Sequence, residues 1–425
     1  MTMLHRRDFL QTTAATGAAL AIGRLARGQD APSERVRVGV MGVNGRGAAL
    51  AAGFASRPGS EVAYLCDVDQ LALDKCLSQI SGQQAAAPQA VTDFRRILDD
   101  DSVDALVVAA PDHWHGPATI LACAAGKHVY VEKPACHNPR EGELMIEAAR
   151  NHQRVVQMGN QRRSSTGVAE AMQRLHAGEI GRALFARGWI TSVRPAIGRG
   201  QTTQPPPHLD YTLWQGPAPE QPYRDNVIHY HWHWFWHWGT GELGNNGIHA
   251  LDLCRWGLGV DYPVSAVCGG GKFHFDDDQE TPDTQLATFN FGDKAIHWEH
   301  RTWQNRGIDG KTWGATFYGE QGSLAIVDDR YTLFDAEGRP TAETPMNNGE
   351  SEHQIDFLDC IRGGGTPKSE IEEGVKSTFL CHVGNIAYRS RQTVNLDPAT
   401  HQIVDNAEQQ ALWSREYRPG WEPAV

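Results

Sequence analysis

Residues 36–69, VRVGVMGVNGRGAALAAGFASRPGSEVAYLCDVD, constrain the fold of this 425-residue chain more than any other stretch. An apolar run through Val36, Val38 and Val40 reads as a buried strand ending in a glycine cluster at Gly42, Gly45 and Gly47. A helix-compatible run, 48–55, follows, and a second apolar strand, 62–66, closes on Asp67. Glycines at such a strand-to-helix turn let the backbone bend tightly and approach a pyrophosphate, while the first helical turn offers it free N–H groups. Asp67 lies twenty residues after Gly47. An acidic side chain there accepts bonds from an adenosine ribose diol and repels a 2′-phosphate, which favours NAD over NADP. Asn44 stands where the G-x-G-x-x-G pattern has its middle glycine, so the set is G-x-x-G-x-G.

Strand and helix signals go on alternating to about residue 156, through the strand run 103–109, a helix at 118–125, a strand at 129–131, a helix at 141–151 and a strand at 155–158. Such alternation predicts a doubly wound parallel sheet of the Rossmann type. Its ligands sit beyond the carboxyl ends of the strands, which singles out Gly42–Gly47, Asp67, Pro111–His115, Glu132–Pro134 and Gly159–Gln161. From about 160 the texture changes to separate strand-like runs (183–191, 264–269, 284–291, 295–301, 316–318) joined by Gly/Asp turns. They predict an α+β domain with an open, largely antiparallel sheet and few helices. A proline-rich loop at 201–208, a polar loop at 340–350 and a late helix at 372–391 complete it. The expected division is a signal peptide at 1–28, an NAD-binding domain at 29–157 and a substrate and oligomerisation domain at 158–425.

The first segment pairs Arg6-Arg7 with a small, weakly apolar run, 12–22, and small residues at Ala26 and Gly28. That is the pattern of a twin-arginine export signal, cleaved after Gly28, and it directs the mature chain to the periplasm. Removing it leaves 35 basic against 50 acidic residues, a balance of −15. An acidic surface of this size argues against nucleic-acid partners and anionic membranes, and no later segment has the apolar length of a membrane span. Eight cysteines are scattered without a C-x-x-C pair. The export route carries proteins folded in a reducing cytoplasm, so neither disulfides nor a metal cluster is expected.

Chemistry concentrates at three places. Lys133 emerges after a short buried strand, in Glu132-Lys133-Pro134, where it can hydrogen-bond a substrate hydroxyl and the nicotinamide ribose. In a helix over 246–256, Asn245 and His249 lie four apart and can share a face, with Asp252 three further on. A histidine suits removal of an alcohol proton near neutrality. The run 229–238, HYHWHWFWHW, puts three histidines on one face of an extended chain. It fits a structural strand, a sugar-pocket wall in which Trp236 and His237 would contact substrate, or a metal site, although no acidic or cysteine ligand lies within it. Arg162 and Arg163 are placed to reach a substrate carboxylate.

Together, the glycine turn, Asp67, Pro111-Asp112-His113-Trp114-His115, Glu132-Lys133-Pro134, Gly247-Ile248-His249 and the late run Cys381–Arg389 resemble the Gfo/Idh/MocA oxidoreductases, in particular their secreted members. The resemblance implies a nucleotide-binding domain, an open-faced sheet domain and a sugar or cyclitol substrate. It implies that Lys133 stands beside the nicotinamide and that His249 is the general base. The family usually has aspartate where this chain has Asn245, and Asp252 is the available substitute. The cofactor site is accordingly expected at Gly42, Asn44, Gly45, Arg46, Gly47, Asp67, Pro111, His113, His115, Glu132, Lys133 and Asn160. The substrate is expected at Gln161, Arg163, Trp236, His237, Asn245 and His249. The expected activity is an NAD-dependent oxidation of a sugar or polyol by a homo-oligomer that keeps and recycles its cofactor. Its rivals are a redox-neutral glycosidase or lyase and a non-catalytic sugar-binding protein.

Overall fold

Strand β1 (Val36–Met41) is apolar at nearly every position because both of its faces are covered, as parallel sheets require. In the computed structural model, which describes residues 35–425, it lies at the centre of a six-stranded parallel sheet. The expected signal peptide, 1–28, lies outside the described residues. The neighbours of β1 are β2 (Ser60–Cys66), β3 (Gln89–Val91), β4 (Ala105–Val108), β5 (His128–Val131) and β6 (Val156–Met158), in the order 3-2-1-4-5-6. Helices α1 (Arg46–Ala55), α2 (Gln70–Ile80), α3 (Asp112–Ala124) and α4 (Pro139–Asn151) connect them. The strand order reverses between β1 and β4, and the crevice that forms there is where such sheets bind ligands.

The second sheet has nine strands in the order 14-13-12-11-7-10-9-8-15. Helix α5 (Thr166–His176) leads to β7 (Ala183–Thr191), and a long excursion follows before α6 (Ile248–Leu258). Then come β8 (Ser265–Gly271), β9 (Thr284–Asn290), β10 (Ala295–Arg301), β11 (Trp313–Gly319), β12 (Gly322–Val327), β13 (Arg330–Asp335) and β14 (Pro340–Pro345). Helices α7 (Glu350–Gly363) and α8 (Ile371–Ser390) and the short β15 (Val394–Asn395) close the chain. All pairings are antiparallel except β7 with β10. The expected fold class is therefore the observed one.

Three local expectations are corrected. Residues 340–345 form edge strand β14, not a loop; its threonines, glutamate and prolines are what an edge exposed to water tolerates. The second domain is richer in helix than expected, with α5 to α8 among its elements. The run 229–238 is no strand: His231–Trp234 is a 3₁₀ turn, and Trp232 and Trp234 are buried in a local cluster with Ile197, Trp214, Phe235 and Trp238.

Helix α7 returns to the first sheet. Phe357 meets Phe54 of α1 and Tyr130 of β5 edge to face, with ring centres 6.3 and 5.8 Å apart. Burying an aromatic side chain of this kind contributes about 1.5–3 kcal/mol. That contact brings the first residue of α7, Glu350, to the mouth of the crevice.

Candidate functional site

A cavity of about 430 Å³ opens at the carboxyl ends of β1, β2, β4 and β5. Gly42 adopts φ +83, and a Cβ there would meet the backbone of Ala109 and Ala110 at 2.7–2.8 Å. At Gly47 a Cβ would strike the Gly42 carbonyl at 1.8 Å, so α1 can start this close to β1 only with glycine. Gly45 differs, since a Cβ on it meets no atom within 4 Å. Its bareness leaves room beside the cavity at the uncapped start of α1, where free N–H groups face outward. This turn fits a dinucleotide pyrophosphate.

Asp67 Oδ2 accepts from the Val43 N–H at 2.7 Å and Oδ1 from the Asp69 N–H at 3.0 Å. Burial raises its pKa, and these two donors work in the opposite direction. Arg46 lines the cavity with its Nε on Glu132 Oε1 (2.7 Å) and Nη2 on both oxygens of Glu350 (2.9 Å). His115 ties two strand ends together, each ring nitrogen facing a carbonyl oxygen: Nδ1 to Pro134 at 2.6 Å, Nε2 to Ala110 at 2.8 Å. Asn160 follows β6 with both side-chain polar atoms enclosed and unpartnered, and it does not line the cavity.

The opposite wall is built by Lys133, Asn245 and His249. Lys133 Nζ donates to Asn245 O (2.7 Å) and Oδ1 (3.0 Å), and burial lowers its pKa. Asn245 sits in a π turn, Leu243–Gly247, that runs directly into α6, and His249 is in the first turn of α6. Such π turns concentrate at functional sites. Burial holds the His249 pKa well below 6.5, and the charges of Lys133, Arg162 and Arg46 push it the same way. Its Nδ1, the Nδ2 of Asn245 and the Oε1 of Gln161 are enclosed without any hydrogen-bond partner. The imidazole is thus held neutral and able to accept a proton.

The excursion 192–241 forms a strap along one side of the cavity, attached at α2 and α3. Leu209 bridges Asp69, the Asp210 N–H donates to Val68 O, and Trp214 O accepts from both Trp114 Nε1 and His113 Nε2 at 3.0 Å. His229 Nε2 approaches Asp69 Oδ2 at 2.8 Å. Leu213, Trp214, His229, Tyr230, Trp232 and His233 of this strap line the cavity.

Several expected residues fall elsewhere. His113 does not line the cavity but is buried among Trp114, Trp214 and Trp238, where it anchors the strap. Arg163 is buried in an ion pair with Asp252 (2.9 Å) and Glu373 (3.3 Å), and Asp252 also accepts from Ser377 at 2.6 Å. Arg163 therefore has no free edge for substrate, and Asp252 is not available to His249. Trp236 faces away, beneath Arg389, and His237 is bonded to Pro219 O; the aromatic run reaches the cavity through its earlier members instead. Among the described residues, no group of three or more His, Cys, Asp or Glu side chains could hold a metal ion. Sequence reasoning missed Trp214, Thr240, which donates to Asp112 at 2.6 Å, and Glu350, 304 residues from the Arg46 it binds. None of the three carries a local signal.

Comparison with known proteins gives consistent matches. Residues 36–160 match the model described as oxidoreductase family, NAD-binding Rossmann fold, and 197–284 match the same family's C-terminal alpha/beta domain. Residues 3–23 match a twin-arginine translocation signal sequence. A glycosyl hydrolase family 109 protein of Saccharopolyspora erythraea is 31% identical over 206 residues, 43% of this chain and 45% of that one. An alpha-N-acetylgalactosaminidase of Shewanella oneidensis is 29% identical over 178 residues, 36% of this chain and 39% of that one. These matches span less than half the length of the curated relatives. Among solved structures, a levoglucosan dehydrogenase in complex with NADH and levoglucosan superposes with TM-score 0.66 at 18% identity, covering 85% of this chain and 99% of that one. The aldose-aldose oxidoreductase of Caulobacter crescentus gives 0.65 at 20% identity, covering 85% and 100%.

Proposed function

The chain belongs to the Gfo/Idh/MocA oxidoreductase family, and from that premise we propose that it oxidises a hydroxyl-bearing carbon of a sugar or polyol while retaining its NAD through the cycle, with the carbonyl carbon of a second sugar as the final hydride acceptor that regenerates it. The observation that carries this reading is the wall on which a buried lysine and a neutral histidine meet, with three enclosed polar atoms left without partners. NAD, when bound, supplies a hydride acceptor at C4 of its nicotinamide. His249 takes the hydroxyl proton. Lys133, aimed by the two oxygens of Asn245, donates to the hydroxyl oxygen and stabilises the negative charge that develops there. Asp67 receives the adenosine ribose, and the glycine turn with the start of α1 receives the pyrophosphate.

The twin-arginine signal match supports export, and an exported enzyme working in the periplasm has no cytoplasmic NAD pool to draw on. The strap, bonded at both the α2 and α3 sides, supports retention of a cofactor loaded before export. The exposed face of the nine-stranded sheet, with Val267 and Leu286 47% and 45% accessible, supports pairing with a second copy. To test retention, the mature protein is purified, denatured and assayed for nucleotide. About one NAD per chain is expected, with turnover that needs no added NAD once a second sugar is supplied as hydride acceptor. Nucleotide-free protein whose rate rises in proportion to added NAD would overturn it.

A second reading has its own support in the relatives named for glycoside hydrolysis. In it the ring carbon is oxidised transiently and the hydride returned after the glycosidic bond breaks. Release of an aryl leaving group with no net change in nicotinamide absorbance would distinguish it from a net oxidation.

A further inference from the structure

The strap touches the cavity with two histidines, and they are used differently. His229 is spent on Asp69, at the adenosine end. His233 lines the same cavity with half of its imidazole uncommitted. Its Nδ1 faces Tyr230 O at 2.6 Å. A carbonyl only accepts, so Nδ1 carries the ring proton and Nε2 presents a lone pair. That nitrogen, on the far edge of the ring, is neither bonded nor enclosed among the described residues, so it is open to the cavity the residue lines. The ring plane is fixed as well. It lies on Trp232 with ring centres 3.6 Å apart and planes 18° apart, and Trp232 in turn donates to His229 O at 2.9 Å. Burial pushes the His233 pKa down to about 3, so the imidazole is a neutral acceptor.

Two contacts put His233 at the substrate end. A Cβ on Gly239 would meet the His233 Cα at 2.7 Å, so this point of the strap packs on the segment that leads into the π turn of Asn245. Arg194 closes the same corner. It donates to Tyr230 Oη and to Glu242 Oε1, both at 3.0 Å, and Glu242 accepts from Asn246 Nδ2 at 2.6 Å. The backbone that orients His233 is thereby tied to the turn that presents Asn245.

We propose that His233 Nε2 accepts a hydrogen bond from a second hydroxyl of the substrate, so that the site reads two hydroxyls of one pyranose ring, one at Lys133 and His249 and the other at the strap. The inference rests on the sugar-oxidising reading above and narrows it. A simple alcohol satisfies the wall and leaves Nε2 unpaired, whereas a polyhydroxylated ring satisfies both. Lys133 gives a hydrogen bond and His233 takes one, so the two contacts distinguish one hydroxyl from the other. The proton at His233 stays on the substrate oxygen, which makes this residue a specificity-determining contact and not a second base.

Glucose, galactose and mannose test it, each beside the analogues in which one hydroxyl at a time is replaced by fluorine. Fluorine is close to a hydroxyl in size but has no proton to donate. Binding is measured by calorimetry on the nucleotide-loaded protein, and oxidation by nicotinamide absorbance in a single turnover. For at least one sugar, fluorine at one position is expected to weaken binding about tenfold. His233→Phe, which keeps a ring without an acceptor, brings that penalty close to one and leaves the penalties at other positions unchanged. His233→Gln, which keeps an acceptor, retains part of it. No binding of any of these sugars, or no position whose penalty depends on His233, would overturn the inference. Loss of bound NAD from His233→Phe with every penalty unchanged would overturn it too, by assigning the ring to the cofactor. A His233-dependent penalty without oxidation would leave it standing and sink the oxidoreductase reading. Oxidation with no such penalty would do the reverse.

Discussion

The two ends of the cavity are built on opposite economies. At the glycine turn and the adenosine end the chain satisfies itself: both oxygens of Asp67 accept backbone N–H groups, and Arg46, at the start of α1, is held by Glu132 and Glu350. At the substrate end Gln161 Oε1, Asn245 Nδ2 and His249 Nδ1 are enclosed with nothing to bond. Each enclosed unpaired polar group costs about 1–3 kcal/mol, and three of them line this one cavity wall, where a ligand can supply the missing partners. The first end is a preformed mould. The second is a set of open valences, and the chemistry belongs there.

The largest effect should come from the open end. His249→Ala and Lys133→Met are each expected to lower turnover about 10²–10⁴-fold, the usual contribution of a positioned proton acceptor or donor. Nucleotide content should stay near that of the unmodified protein for His249→Ala, measured on denatured samples. Full activity in that variant would mean the base lies elsewhere and would erase the contrast between the two ends.

Asp67 probes the mould. Because its carboxylate also holds the glycine turn through Val43 and Asp69, Asp67→Ala mixes cofactor preference with loss of local structure. Asp67→Asn is the milder change: it keeps one of the two acceptors, loses the other, and removes the charge that repels a 2′-phosphate. The preference for NAD over NADP should narrow by about ten- to a hundredfold, read by competitive binding to nucleotide-stripped protein. Equal affinities before the substitution would defeat the assignment.

The strap lies between the two ends and ties one to the other. His229→Ala removes its partly exposed contact to Asp69, so nucleotide loss, followed by dilution and fluorescence, should quicken by at most about fivefold. No change would show that Trp214 and the bridge at Leu209 hold the strap unaided.

The two ends also differed in legibility. The mould is written in one contiguous stretch, 36–67, where apolar runs, glycines at sterically closed positions and one acid act locally. The substrate wall is assembled from segments far apart in sequence, and only Lys133 and His249 carried a motif strong enough to point to it. Arg162 and Arg163 show the limit sharply. They are neighbours of identical chemistry on a 3₁₀ turn that sends them in different directions, one to Asp252 and one to Trp313. Nothing in their order says which goes where. The aromatic run 229–238 was conspicuous by composition, but its role as a strap depends on α2 and α3, which are remote in sequence. Strand β14 escaped notice because an edge exposed to water looks like a loop.

Asn245 gives the finest test of the comparison. Its Oδ1 accepts from Lys133 and its Nδ2 bonds nothing, so Asn245→Asp keeps the one contact and discards an unused donor. What changes is charge: a carboxylate appears 3.0 Å from the ammonium and four residues from His249 on the same helical face. As the wall stands, burial and neighbouring cations hold His249 below 6.5, and burial lowers Lys133 from 10.5. Activity needs a neutral His249 and a charged Lys133. It should therefore be level through neutrality, fall on the acid side only below the ordinary histidine range, and fall on the alkaline side below the ordinary lysine range. A carboxylate favours the charged form of both groups, so Asn245→Asp should move both limbs of the kcat/KM profile upward by about one pH unit. Activity at mildly acidic pH is then lost and activity at alkaline pH gained, with less change in the maximum than any substitution above produces. A shift of the alkaline limb alone would mean that position 245 acts on Lys133 and not on His249, leaving the histidine of the open end to titrate by itself.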